Sequence, residues 1–586
     1  MKTPIRFLFT LLCAATLSVQ TVHATTITVN STADPTGAHS GITLRDALAA
    51  AANGDMINFS VTTPATITLS AANGQLEVGT SVMITGPGAN LLTVDANHAS
   101  RVFFIDAGTT VTISGLTISN GGSGSFGFSG GILNDHATLT VSNCTLSSNS
   151  ASFGGGGIFN FGGGFGSATL TINNSTLSGN SANLGGGIYN DGSGGSATLT
   201  VNNSTLSGNS AFVEGGGIFN DGTNGSATLT VNNSTISGNS TGSFGGGGIY
   251  NNGNFGSATL TINNSTISGN SAGSLEGGGG IYNDGSGGGS ATLTVNNSTL
   301  SGNSAPFTLE GGGIFNDGLN GSATLTIGST ILNAGASGEN IFNFSDFPPT
   351  AIVTSNGYNL SSDAAGGDGT TGPGGLLNAT GDIRNTNPML APLANNGGPT
   401  FTHALLTGSP AIDQGKNFTA FTSDQRGTGF ARTNDFLSIS NATLGDGTDI
   451  GAYEVQAVVV CPQPQGYWKT NPDAWPASAL PMTLGSQTYN KTELLAILNT
   501  PIHGDASLIL ADQLIATKLS IANGADGTPV SSTIMDADML LTGSPPFTGK
   551  LPYKVKTSSS AGQAMINDAN VLNNFNNGLL TLGCGL

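Results

Sequence analysis

Between Ala137 and Ile327 the chain alternates small or apolar residues with threonine, breaks at asparagine, and then repeats. Copies begin at Ala137, Ala168, Ala197, Ala227, Ala258, Ala291 and Ala323, the last cut short after Ile327. A full copy reads SATLTINNSTLSGNSANLGGGIYNDGSGG. The period of two in ATLTI predicts a strand with Ala168, Leu170 and Ile172 on its buried face and Thr169 and Thr171 outside. STLSGN predicts a second short strand carrying Leu177, and GGGIYN a third carrying Ile188. No strand has a hairpin partner inside its own copy. Each must pair in parallel with its equivalent one copy along, about 4.8 Å away. A fixed period in this range signals a solenoid. The expected fold is all-β: a right-handed parallel β-helix solenoid with an N-terminal capping helix, followed by a small C-terminal α-helical domain.

Differences between copies support this reading. Length changes fall in Gly/Ser-rich stretches such as FGGGFGS and DGSGGGS, where turns lie. Equivalent positions stack into ladders. Asn180, Asn209, Asn239, Asn270 and Asn303 form one, and Asn190, Asn220, Asn251, Asn283 and Asn316 another. Stacked amides can bond along the axis and satisfy polar groups that a buried turn would strand.

Outside the repeat the pattern changes. Residues 1–24 read as a secretory signal, with Lys2 and Arg6, the apolar run FLFTLLCAATLSV, and a small-residue site at Val22-His23-Ala24. Residues 25–136 hold the N-terminal cap and first irregular coils. ITLRDALAAAANGD predicts a short helix with Leu44, Ala47 and Leu48 on one face, covering the unpaired strands at the solenoid's end. Residues 137–327 are the regular coils, and 328–457 the last coils and a cap. Beyond Val458, TELLAILN, DASLILADQLIATKLSIANG, STIMDADMLL and AGQAMINDANVLNNF have helical spacing, so 458–586 is expected to be a helical domain. No later run is apolar and long enough to cross a membrane.

Three stretches resemble known families. ITLRDAL, continued by MITGPGANLLTVDANHASRVFFI, resembles the CSLREA motif at the start of secreted bacterial β-helix proteins, with Ile42 and Asp46 replacing its Cys and Glu. That motif carries no known chemistry. NTNPMLAPLANNGGPTFTHALLTGSPAIDQG, SDQRG and TDIGAYE, within roughly 340–455, are together similar to the choice-of-anchor Q domain. The GGGI and IFN/IYN elements resemble repeats of polymorphic outer-membrane proteins. These resemblances imply a pectin-lyase-like fold, export, and a place at the cell surface.

Charge narrows the partners. The net charge is −19, and between Val102 and Ile383 there is no Lys or Arg against 14 Asp or Glu. Such a surface repels nucleic acid and anionic lipid. It should also bind acidic sugars poorly unless a cation intervenes.

Candidate chemistry is sparse. A lyase on this fold needs a base, and the repeats have no basic side chain. A hydrolase needs two carboxylates roughly 5–9.5 Å apart across one bond. The candidates are Asp191, Asp221, Asp284 and Asp317, with Asn252 substituting in one copy. They recur at one place in every copy, as turn formers do, whereas catalysis needs unlike groups at one point. Hence no catalytic residues are assigned. The same Asp residues are weak candidates for Ca²⁺, helped by Glu214, Glu276 and Glu310. Otherwise no cofactor is expected. Phe159, Tyr189, Phe219, Tyr250, Tyr282 and Phe315 form an aromatic ladder. It would either face outward and stack on sugars or peptides, or stack on itself and stiffen that face. In SDQRG, Arg426 is expected to make an ion pair that ties the cap together. In an exported protein, Cys461 and Cys584, which bracket the helical domain, are expected to form a disulfide. The expected function is an exported, adhesin-like β-helix that binds a surface glycan or protein without catalysis. The alternative is a carbohydrate-active enzyme, a polysaccharide lyase or glycoside hydrolase.

Overall fold

The computed structural model describes residues 24–123, 127–273, 277–306, 310–345, 350–436, 439–456, 460–580 and 584. The expected signal peptide lies outside these except for Ala24. The chain divides into two compact units, Met1–Gln456 and Ala457–Leu586.

The first unit is a parallel β-helix with three long sheets of 12, 11 and 10 strands. One copy shows the plan. Ser167–Asn173 lies in the first sheet, Thr176–Ser178 in the second and Ile188–Asp191 in the third. Each pairs in register with the next copy, Leu170 against Leu199, Leu177 against Leu206 and Ile188 against Ile218. Ala168, Leu170, Ile172, Leu177 and Ile188 all point into the coil and are buried. Asn174 takes the corner between the first two sheets at φ +48°, a conformation asparagine tolerates better than most residues.

Both asparagine ladders form. Asn149 Nδ2 donates to Asn180 Oδ1, and the row continues to Asn303 at 2.9–3.0 Å. The second row runs from Asn134 to Asn343 at 2.7–2.8 Å. Every amide donates toward the C-terminal coil. These residues have no exposed surface from Asn160 to Asn316, so the ladders replace the hydrogen bonds that water would otherwise supply.

The solenoid starts with Thr26–Val29, which pairs with Met56–Phe59. Between them α1 (Leu44–Ala50) buries Leu44, Ala47 and Leu48 against the end of the core. A reciprocal cap between Thr43 and Asp46 fixes its start.

The far end departs from expectation. Regular strands stop at Leu360–Ser361, with one further bridge from Leu360 to Ile383. The end is closed by a loop that inserts Ala365 and Leu377 into the core. Buried Arg384 donates to the carbonyls of Ala364, Asp368 and Gly372 and holds that loop. From about 386 to 456 the chain is neither coil nor end cap. It folds back along the flank beside the second sheet and bonds to coils laid down much earlier. Phe401 O accepts from Thr235, Gln425 Oε1 from Thr266, and Lys416 O from Asn297, while Ala452 N donates to Thr299. The expected 328–457 cap is thus a short cap followed by a flank strap. Strand periodicity could not reveal the strap, because its partners are single polar atoms.

Ion pairs hold the strap's interior. Arg426 pairs with Asp424 at 2.5 Å, as the SDQRG sequence suggested, and its guanidinium lies 3.9 and 3.8 Å from the rings of Phe430 and Tyr453. Arg432 sits 3.6 Å from Glu454, whose oxygens also accept from Asn434 N and Asp449 N. Burial outweighs Arg432's charge and pushes the Glu454 carboxyl above the usual range.

The second unit is helical: α2 (Gln465–Thr470), α3 (Lys491–Asn499), α4 (Ala506–Ala522), α5 (Ser531–Thr542) and α6 (Ser560–Asn576). The short antiparallel pair Met482–Leu484 and Gln487–Tyr489 is its one hairpin among the described residues. Leu510, Leu514 and Ile515 of α4 are fully buried at the centre, and Gly524 follows the helix at φ +104°. Cys461 and Cys584 are joined, with Cα atoms 5.3 Å apart.

Candidate functional site

The third sheet carries both sequence-derived ladders side by side. Register places Glu77, Phe104, Leu133, Phe159, Tyr189, Phe219, Tyr250, Tyr282, Phe315 and Phe342 in one row. The acid positions Asp191, Asp221, Asn252, Asp284 and Asp317 lie two residues further along the same strands.

The aromatic rings point away from the coil interior, as strand alternation requires, but they do not form an open face. Phe159, Tyr189, Phe219, Tyr250, Tyr282 and Phe315 are only 2–6% exposed. Successive rings sit 4.8–5.1 Å apart, one ring per coil. They form a second apolar core outside the first. The GGG segment makes the cover. Gly185 has φ +59°, and a Cβ there would lie 2.4 Å from Ile188 O, so the chain can double back over the rings only with glycine. A small extra sheet of Ser181–Leu184, Ser210–Glu214 and Ser240–Thr241 widens the same flank. The outward-facing alternative is therefore corrected: alternation fixes a side chain's direction but not what the next loop lays over it.

The aspartates are equally committed. Asp191, Asp221, Asp284 and Asp317 are 4–6% exposed. Their Oδ1 atoms accept from the backbone N–H two residues on, at Ser193, Thr223, Ser286 and Leu319, and so close the turn. Their Oδ2 atoms accept from tyrosines of the preceding coil: Tyr189 to Asp221 at 2.9 Å, Tyr250 to Asp284 at 2.7 Å and Tyr282 to Asp317 at 2.9 Å. Burial first, and then these carboxylate charges, push the Tyr189 and Tyr250 hydroxyls well above their ordinary value. Among the described residues no three His, Cys, Asp or Glu are placed to hold a metal ion. Glu276, one of the weak Ca²⁺ candidates, lies outside the described residues.

Unlike groups meet at the N-terminal end of this sheet. Phe104 and Leu133 line an open groove of about 1040 Å³ together with Arg45, Arg101, Glu77 and Asp106. Arg101 is 6% exposed. It donates from Nη1 to Gln75 Oε1 at 2.9 Å and from Nε to Phe128 O at 3.2 Å, and its guanidinium stands 5.7 Å from the Phe104 ring. Burial lowers its pKa to about 10, against the charge of Asp135. No carboxylate among the described residues lies within ion-pair distance of it. Arg45, from the ITLRDAL stretch, is neutralised by Asp34 at 2.8 Å and bonds to the carbonyls of Gly74 and Gln75. Burial, then the charges of Glu77 and Asp135, raise the Asp106 carboxyl. Sequence reading missed this groove. The available signal was Arg101 itself, the last cation before the long cation-free stretch.

No helix among the described residues is long and apolar enough to cross a membrane. No protein-family model matches the chain, and no curated protein matches it. Among solved structures, a pectate lyase, Pel9A, is similar over 74% of this chain and 97% of its own, at 16% identity and a TM-score of 0.41.

Proposed function

We propose that this protein is an exported, surface-displayed β-helix that binds a glycan, and that binding occurs in the N-terminal groove rather than along the repeats. One observation carries the reading. The groove is the place in the third sheet where the aromatic row comes out from under its glycine cover, and a buried arginine without a carboxylate partner lies beside it. An open ring offers a stacking face to a sugar, and guanidinium and carboxylate groups fix hydroxyl orientation. The repeats serve as a stiff rod whose polar groups are spent internally. The CSLREA-like and choice-of-anchor Q-like stretches support export and surface display. A glycan array probed with purified protein tests the reading. The expected result is a defined glycan set lost on Phe104→Ala, with the thermal midpoint unchanged. A silent array, or binding indifferent to Phe104→Ala, overturns it.

A second reading rests on Asp106 and Glu77 in the same groove. Two carboxylates in unlike surroundings are the pattern of an acid–base pair, and Asp106 is held above its ordinary range. On that reading, bound glycan gains reducing ends over time and Asp106→Asn stops it while binding persists. Stable bound glycan removes this alternative.

A further inference from the structure

The helical unit has a groove that none of this uses. It runs between α5 and α6, floored by Leu540, Phe547 and Val555, with about 1160 Å³ of open space. Phe547 is held in place by stacking on Tyr553, centroids 4.4 Å apart. On α5, Met535 and Met539 stand one turn apart and are 62% and 64% exposed. Methionines at a lip adapt to varied apolar partners.

The groove is also acidic. Asp536 of α5 and Asp568 of α6 both line it. Asp568 Oδ2 is buried with no hydrogen-bond partner. Neither carboxylate has a cation within ion-pair distance among the described residues. The nearby lysines are committed elsewhere, Lys518 to Asp538 at 2.7 Å and Lys550 to Glu493 at 2.6 Å. A buried oxygen with nothing to accept from is costly until a donor arrives. Burial and the charge of Asp536 raise the Asp568 carboxyl, consistent with a missing counter-charge.

We propose that this groove receives an amphipathic helical segment of a partner protein, whose apolar face enters between α5 and α6 and whose lysine or arginine reaches Asp568 and Asp536. Charge complementarity selects the cation. Size selects a segment over a small molecule, since the open space exceeds the roughly 300–1,000 Å³ of ordinary small-ligand pockets. The mode is helix-in-groove, read by apolar anchors on successive turns.

The test uses the full, disulfide-intact chain and a synthetic Leu/Ala/Lys amphipathic helix of about four turns. Two controls are a scrambled peptide of the same composition and a glutamate-for-lysine version. Calorimetry should show saturable binding of the first peptide, with both controls at least about tenfold weaker. Asp568→Asn with Asp536→Asn should weaken it by a similar factor. Asp536→Asn alone, at an exposed position, should give part of that loss without altering the fold. Equal binding of the scrambled peptide would reduce the effect to general attraction toward an acidic protein, and overturns the proposal. So does binding unchanged in both variants. Octylammonium binding as tightly as the peptide, and competing with it, would make the groove a small-ligand site and also overturns it.

Discussion

Thr266 donates its hydroxyl hydrogen to Gln425 Oε1 at 2.6 Å, across 159 residues of chain. The same glutamine amide donates from Nε2 to Thr235 Oγ1 at 2.9 Å, so one side chain bridges two coils. All three side chains are fully buried. Gln425→Ala should strand the two threonine hydroxyls and cost about 1–3 kcal/mol. The loss should be local. Amide exchange should rise over 386–456 while the strands near Leu170 and Leu199 keep their protection. Unchanged exchange in the strap would show that Gln425 does not fasten it.

Tyr250 and Asp284 give a second measurement. Tyr250→Phe keeps the ring stack, since phenylalanine already occupies the same rung at Phe219 and Phe315. It removes the hydrogen bond to a buried carboxylate. The expected loss is about 1–3 kcal/mol in denaturant unfolding. A neutral result would mean that water replaces the phenol at Asp284.

Glu214 makes stability depend on pH. Burial, then the charges of Asp221 and Asp284, push its carboxyl from 4.5 up to about 7. The folded state therefore holds this proton more tightly than the unfolded state. The contribution is fully present below pH 4.5 and is lost as pH rises through about 7. It amounts to at most roughly 3 kcal/mol, less the share that solvent screens. Glu214→Gln should raise the thermal midpoint above pH 7 and leave it unchanged near pH 4.5. Parallel melting curves for parent and variant across that interval would refute this.

The disulfide between Cys461 and Cys584 closes most of the helical unit, 123 residues apart. Replacing both with serine should destabilise that unit by roughly 2–5 kcal/mol. The solenoid should be untouched, so calorimetry should show one transition moving and the other fixed. Coincident movement of both would mean that the two units unfold together.

The parts of this architecture legible in sequence were those written as periodicity. Leu170, Leu177 and Ile188 could be placed inside the coil because alternation fixes direction and repetition fixes partners. The two asparagine ladders followed from spacing alone. Tyr250 was harder, because its direction was readable but its glycine cover depends on how a loop at φ +82° (Gly245) folds over it. The strap was not legible, since Gln425 meets Thr235 and Thr266 through single atoms that leave no pattern. The groove beside Arg101 was hidden for a related reason. Its members come from ITLRDAL, from Gln75 and Glu77, and from RVFFID, stretches that resemble nothing in one another.

The amide ladders have a direction. Each Nδ2 looks toward the C-terminus and each Oδ1 toward the N-terminus, and the first rung, Asn134, is left with an Oδ1 that nothing meets. Every junction between regular coils therefore joins the same donor to the same acceptor. A whole copy can be excised or duplicated and the surfaces that close the gap are chemically those that stood there before. Half a copy would set strand against turn. The rod's length is thus quantised, and recombination between near-identical copies can edit it one step at a time. The freedom ends near Thr235, where the strap begins to span particular coils and the spacing between them becomes part of its fit.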